Sequence, residues 1–159
     1  MVYYQYVMAY SKTRGLTIYH LRNGGVDPFD YQPHRDRVLE LIGLVLWATE
    51  GDKTQLSLAN GNPSIIKKYL EFLRRICNLR EDKIKAVIHC HDTVPYQMCL
   101  RYWSEFTGIP PHRFTKPFIK PDKGGTRKYP HGILRITANN VRLVQLFKER
   151  LQTIGLDRH

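Results

Sequence analysis

Acidic residues are scarce in this chain of 159 residues, where 14 Asp and Glu stand against 25 Lys and Arg for a formal net charge of +11. That imbalance points to a polyanion rather than to an acidic small molecule, with nucleic acid as the default partner. An anionic membrane surface is the competing polyanion. The basic residues, however, are interleaved with strand-like and turn-like segments and do not gather on one amphipathic helix. Long apolar runs are missing too: none reaches the ~18 residues of a membrane span. The opening MVYYQYVMAYSKTRG lacks the apolar centre of a signal peptide. A soluble, non-exported protein with no membrane partner is expected. Cysteine is sparse, with Cys77, Cys90 and Cys99 in no CxxC spacing, so a disulfide framework is disfavoured and a reducing cytosol fits. No GxSxG nucleophile turn occurs, and Gly124-Gly125 neither follows a strand nor opens a helix. No small-molecule cofactor is expected.

What is present begins with one long apolar segment. Val38, Leu41, Ile42, Val45, Leu46 and Ala48 recur at helical spacing, and Leu39, Leu44 and Trp47 broaden the apolar surface nearly all round. Such a helix asks for burial on more than one side, and a partner subunit is as good a candidate for the second side as the chain's own sheet. It runs into Glu50-Gly51-Asp52-Lys53, where Gly51 can leave the helix. A carboxylate delivered there, at the edge of a basic protein, is a place to hold a divalent metal.

The length suits one domain with an N-terminal extension, residues 1–33 and 34–159. Residues 2–22, rich in Tyr and β-branched side chains and broken by Ser11-Lys12-Thr13-Arg14-Gly15, read as two strands joined by a basic turn. After the long helix, Thr54–Ala59 alternates as a half-buried strand. Asn62-Pro63 opens an amphipathic helix to about Cys77. Lys83–His91 is a strand, a helix follows Pro95 as far as Gly108, and Arg113–Lys120 and Tyr129–Ala138 are strands around a polar loop. Asn139 or Asn140 caps a last helix whose apolar face is Val141, Leu143, Val144, Phe147, Leu151 and Ile154. This order predicts an α+β domain with a sheet of about four strands covered by helices.

Taken in order, GLVLWATEGDKT, LSLANGNPSIIKKYLEFL, RYWSEFTGIPPHRFTKPFIKP, RKYPHGILRIT and the last helix resemble the LAGLIDADG homing endonucleases in their degenerate, single-motif form. The similarity spans roughly residues 35–155 and rests on motif order. It implies two motif helices packed together at the centre, each bringing an acidic residue to divalent metal beneath. It also implies an antiparallel-rich sheet forming a saddle across the DNA major groove. With one motif per chain, it implies a homodimer on a pseudo-palindromic duplex. Carried onto this sequence, Glu50 is the acidic catalytic residue that holds Mg²⁺ or Mn²⁺, with Gly51 as the closing glycine. Lys53 and Gln55 assist by proximity, and Leu39, Gly43, Leu46 and Trp47 make the helix pair. Two positions depart from the motif. Val45 stands where it has a small glycine and Ala48 where it has its first Asp, which implies a wider helix pair and lost or weakened cleavage. Besides the site-specific nuclease, two alternatives stay open: a non-catalytic DNA-binding module and an RNA-binding factor that supports intron folding.

Arg113, Lys116, Lys120, Lys123, Arg127 and Lys128 share their span with one acid, Asp122, and form the expected phosphate-contacting ridge. Lys12, Arg14 and Arg22 extend it. His89-Cys90-His91-Asp92 resembles a metal cluster but lacks enough ligands at suitable spacing. A strand end with satisfied imidazoles is the better reading.

Overall fold

The computed structural model describes residues 5–10, 17–22, 33–124 and 128–156. Two strands, β1 (Gln5–Tyr10) and β2 (Thr17–Arg22), pair antiparallel from Gln5 opposite Arg22 to Tyr10 opposite Thr17. The rest is α+β. In chain order it comprises α1 (Pro33–Glu50), β3 (Gly51–Asp52), β4 (Leu56–Asn60), α2 (Pro63–Glu71), β5 (Ile84–His91), α3 (Tyr96–Thr107), β6 (Phe118–Lys120), β7 (Ile133–Ala138) and α4 (Val141–Thr153).

The five strands β3 to β7 form one mixed sheet in the order β3-β4-β7-β5-β6. Every pairing is antiparallel except β5 with β6. A parallel neighbour requires a crossover, and α3 supplies it between β5 and β6. β7 then returns to the middle of the sheet. The strand expected over Arg113–Lys120 is only three residues long, Phe118–Lys120. Pro111 and Pro117 explain the loss. The first opens a 3₁₀ turn over Pro111–Arg113, and the second supplies no N–H to the ladder. Phe114 alone bridges to Ala86. The strand expected from Tyr129 starts at Ile133 because Gly132 turns the chain with φ +71°.

Helix boundaries follow their capping chemistry. The Asn62 side chain accepts from Ser64 N at 2.9 Å, and the Asn140 side chain accepts from Leu143 N at 3.1 Å. Gly108 ends α3 in the left-handed region. Helix α2 continues through a π turn over Phe72–Ile76, so the helical span reaches Cys77 as its sequence predicts.

Helices pack on one face of the sheet. Leu56 and Leu58, Leu134 and Ile136, and Ile84, Ala86 and Ile88 supply that face, all buried. Burial alternates along β5 and β7, as one covered face requires. Above the sheet, the Trp47 and Phe147 rings meet edge to face at 5.4 Å, and Phe147 lies 5.2 Å from Phe72.

Helix α1 turns Asp36, Leu39, Glu40, Gly43, Leu44 and Trp47 inward. The two buried carboxylates are paired: Asp36 with Arg75 at 2.6 Å and Glu40 with Arg150 at 3.1 Å. They tie α1 to the π turn and to α4. At Gly43 the Phe72 ring fills the space a Cβ would take. Gly43→Leu therefore drives a side chain into that ring, and we expect a loss of about 3 kcal/mol, the upper part of the usual overpacking cost. Urea unfolding checks it: the midpoint should fall at unchanged slope, with partial recovery when Phe72→Ala is added.

Candidate nucleic-acid interface

Because helices occupy one face, the alternate residues of each strand point to the other. Register arranges them in rows. Asp52, Ser57, Thr137 and Lys85 form one row, and Ala59, Arg135 and Val87 the next. Ile133, His89 and Phe118 form a third, and His91 pairs with Lys120 at the edge. Lys85, Arg135, Phe118 and Lys120 are exposed. The face thus carries three fixed cations and two imidazoles.

Among the described residues, the one carboxylate in these rows, Asp52, is already engaged. The Thr54 hydroxyl and backbone N–H donate to it at 2.7 and 2.9 Å, and the Gln55 amide donates at 3.0 Å. These bonds hold its pKa at about 2, the Thr54 hydroxyl contributing most and Arg135 adding a charge effect. His89 moves below its ordinary value through burial first and then through Arg135 and Lys120. It is a neutral donor and acceptor at pH 7.

Beside this face, a cleft of about 480 Å³ is lined by His89, His91, Lys120, Lys123, Lys128 and Tyr129 among others. Asp122, on its wall, accepts from the Thr93 hydroxyl at 2.7 Å and from Gly124 N at 3.0 Å. It shapes the 121–124 turn while the lysines stay exposed.

Of the basic residues expected to form a ridge, Lys120, Lys123 and Lys128 meet around this cleft. Lys116 is exposed just before β6. Arg127 lies outside the described residues, as do Lys12 and Arg14. Arg113 does not join them. Its guanidinium donates to Glu81 O at 2.5 Å, beside the Arg74–Glu81 ion pair and Thr107 at the end of α3. Lys85, Arg135 and His89 were missed from the expected surface, although strict alternation with Ile84, Ala86, Ile88, Leu134 and Ile136 marks them as outward.

At the other end of the sheet, Glu50 closes α1, exposed and without a hydrogen bond or ion pair among the described residues. Lys53 and Gln55, expected to assist it, have structural work. The Lys53 ammonium donates to Trp47 O and Gly51 O at 2.5 and 2.8 Å and lies 5.4 Å from the Trp47 ring centre. It caps the negative end of α1. The Gln55 side chain is on Asp52, and its carbonyl accepts from the Trp47 indole N–H at 3.0 Å.

Leu39, Gly43 and Trp47, expected in a helix pair between subunits, are buried in the chain's own core, and Leu46 is half-buried. The outward stripe is a different set, Val38, Leu41, Ile42 and Val45, each 37–43% exposed. The two sets alternate around one helix, so the pattern that marks a core face equally marks its opposite.

The His89-Cys90-His91 run splits between faces: Cys90 is buried on the helix side with Cys99, while the two histidines face outward. Among the described residues, no group of three or more His, Cys, Asp or Glu is placed to hold a metal ion. No helix among them is long and apolar enough to cross a membrane.

No protein-family model, curated protein or solved structure matches this chain. The site therefore rests on geometry alone.

A depressed carboxylate pKa adds stability above its unfolded-state value, and that stability is lost as pH falls through the folded value. For Asp52 the window runs from its ordinary 3.8 down to about 2. Thr54→Val should raise the Asp52 pKa toward 3.8 and shift this loss to higher pH. Carboxyl-detected NMR titration of both proteins checks it.

Proposed function

We propose that the chain is a duplex DNA-binding protein of the LAGLIDADG homing-endonuclease type, acting as a homodimer. The observation that carries the reading is the open sheet face, where Lys85, Arg135 and Lys120 are exposed while the one acid in its described strand rows, Asp52, is held by its own turn. Three adjacent strands, β4, β7 and β5, span about 10 Å at the usual strand spacing, which suits a major groove about 12 Å wide. Lys120, Lys123 and Lys128 at the flank suit the phosphates beside that groove. The net charge of +11 favours the same partner.

The outward stripe of α1 supports the homodimer. A second copy laid along Val38, Leu41, Ile42 and Val45 would remove four large apolar side chains from water. These side chains keep two helices near the wide end of the 8–10 Å packing range, as Val45 in place of a small residue implies. Glu50 favours a second, more specific reading, site-specific cleavage. Mg²⁺ is commonly held by one or two carboxylates with water and substrate phosphate completing its shell. Glu50 fits that demand as a single uncommitted carboxylate, a half-site that a partner copy and DNA would complete. The chemistry supplied there would be activation of water for attack on a phosphodiester.

Fluorescence anisotropy with labelled duplex DNA tests the main reading. Binding should weaken with a steep dependence on salt. Changing Lys85, Lys120, Lys123 and Lys128 together to Gln should cut the log–log salt slope by about 3.6, from about 0.9 per phosphate contact. An unchanged slope would remove the open face from the interface, and tighter binding to structured RNA would replace DNA as the partner. Val45→Asp should convert a dimer to a monomer in sedimentation velocity and weaken duplex binding. For cleavage, Glu50→Gln should abolish Mg²⁺-dependent strand scission of bound duplex and leave its affinity intact.

A further inference from the structure

We infer that Arg135 is the residue that reads a guanine in the bound duplex, an inference that rests on the DNA-binding reading above. Arg135 lies on β7, the middle strand of five, and points to the open face between Leu134 and Ile136, which are fully buried on the other side. Its register neighbours are Ala59 on β4 and Val87 on β5, and Ile133 and Thr137 stand two residues away on its own strand. None of these offers a competing charge. Among the described residues, the guanidinium has no hydrogen bond or ion pair. Asp52, a carboxylate that feels its charge, is occupied by Thr54 and Gln55.

This setting differs from that of the lysines. Lys120, Lys123 and Lys128 are at the sheet edge and in the adjoining turns, where a strongly hydrated point charge suits a phosphate. Arg135 is central, planar and surrounded by short or neutral side chains that let a base edge approach. Arginine donating through both terminal nitrogens to guanine O6 and N7 is the commonest specific contact in the major groove. The neighbouring His89, neutral at pH 7 through burial and the two nearby cations, adds no repulsion that would turn the fork away. In the proposed homodimer there are two copies of Arg135, so one guanine in each half-site, on opposite strands, is the expected signature.

Selection of bound duplexes from a randomised library, using the full chain at about 0.15 M salt, tests this inference. The unaltered protein should enrich guanine at one position per half-site, preferring it about 10–100-fold over other bases. Arg135→Ala should lose that preference at that position alone. Arg135→Lys, which keeps the charge without the fork, should lose it while still binding unselected duplex with a similar salt slope. Thermal melting of both variants checks that they fold. A protein that binds duplex but selects no guanine, or variants that keep the same guanine, would overturn the role of Arg135 and leave the DNA-binding reading standing. Failure to bind duplex at any salt concentration would overturn both.

Discussion

The packing of Phe72 over Gly43 decides how α1 lies against the rest of the domain. A helix without a side chain at that point lets the aromatic ring approach its backbone, and the ring then joins Phe147 and Trp47 above the sheet. Asp36–Arg75 and Glu40–Arg150 flank this contact along the same helix face. Buried ion pairs are weak sources of net stability but strongly penalise any arrangement that separates them. Together, packing and charge fix the rotation of α1 about its axis. Every other property of that helix follows from the rotation, including which apolar residues enter the core and which are left outside.

The exit from α1 is equally constrained. The Trp47 indole N–H donates to both Asp52 O and Gln55 O, and Lys53 caps the helix carbonyls from the other side. A tight hairpin thus begins immediately after Glu50, and Asp52 enters the first row of the open sheet face. Residues close to an acidic helix end are natural candidates for chemistry. Here most of them build the turn that presents that end. Glu50 itself has no hydrogen bond or ion pair among the described residues.

A single topological fact sets the character of the second sheet face. The described helices contribute to one layer, so the second face of the sheet carries the alternate residues, a mixture of cations, imidazoles, hydroxyls and apolar side chains. Antiparallel sheets commonly keep one such solvated face. In a protein of strongly positive charge, that face gathers cations from strands far apart in sequence: Lys85 on β5, Lys120 on β6 and Arg135 on β7. The cleft beside it then joins Lys123 and Lys128 to the same surface.

The elements themselves were legible in the residues. Helical spacing, Asn62 and Asn140 as caps, Gly108 as terminator and the alternation of β5 all act over a few residues, where local geometry decides. The strand expected over Arg113–Lys120 is cut to Phe118–Lys120, where Pro111 and Pro117 interrupt extended pairing. Charge and the scarcity of carboxylates likewise raised the expectation of a polyanionic partner without any fold. Tertiary structure alone decided which side of α1 faces inward, because its apolar residues run nearly all round and periodicity cannot rank two apolar faces. It placed Leu39, Gly43 and Trp47 in the core and Val38, Leu41, Ile42 and Val45 outside. It also separated Arg113 from Lys120 and brought Arg135 to the centre of the open face, since strand order depends on long-range pairing that no local pattern encodes.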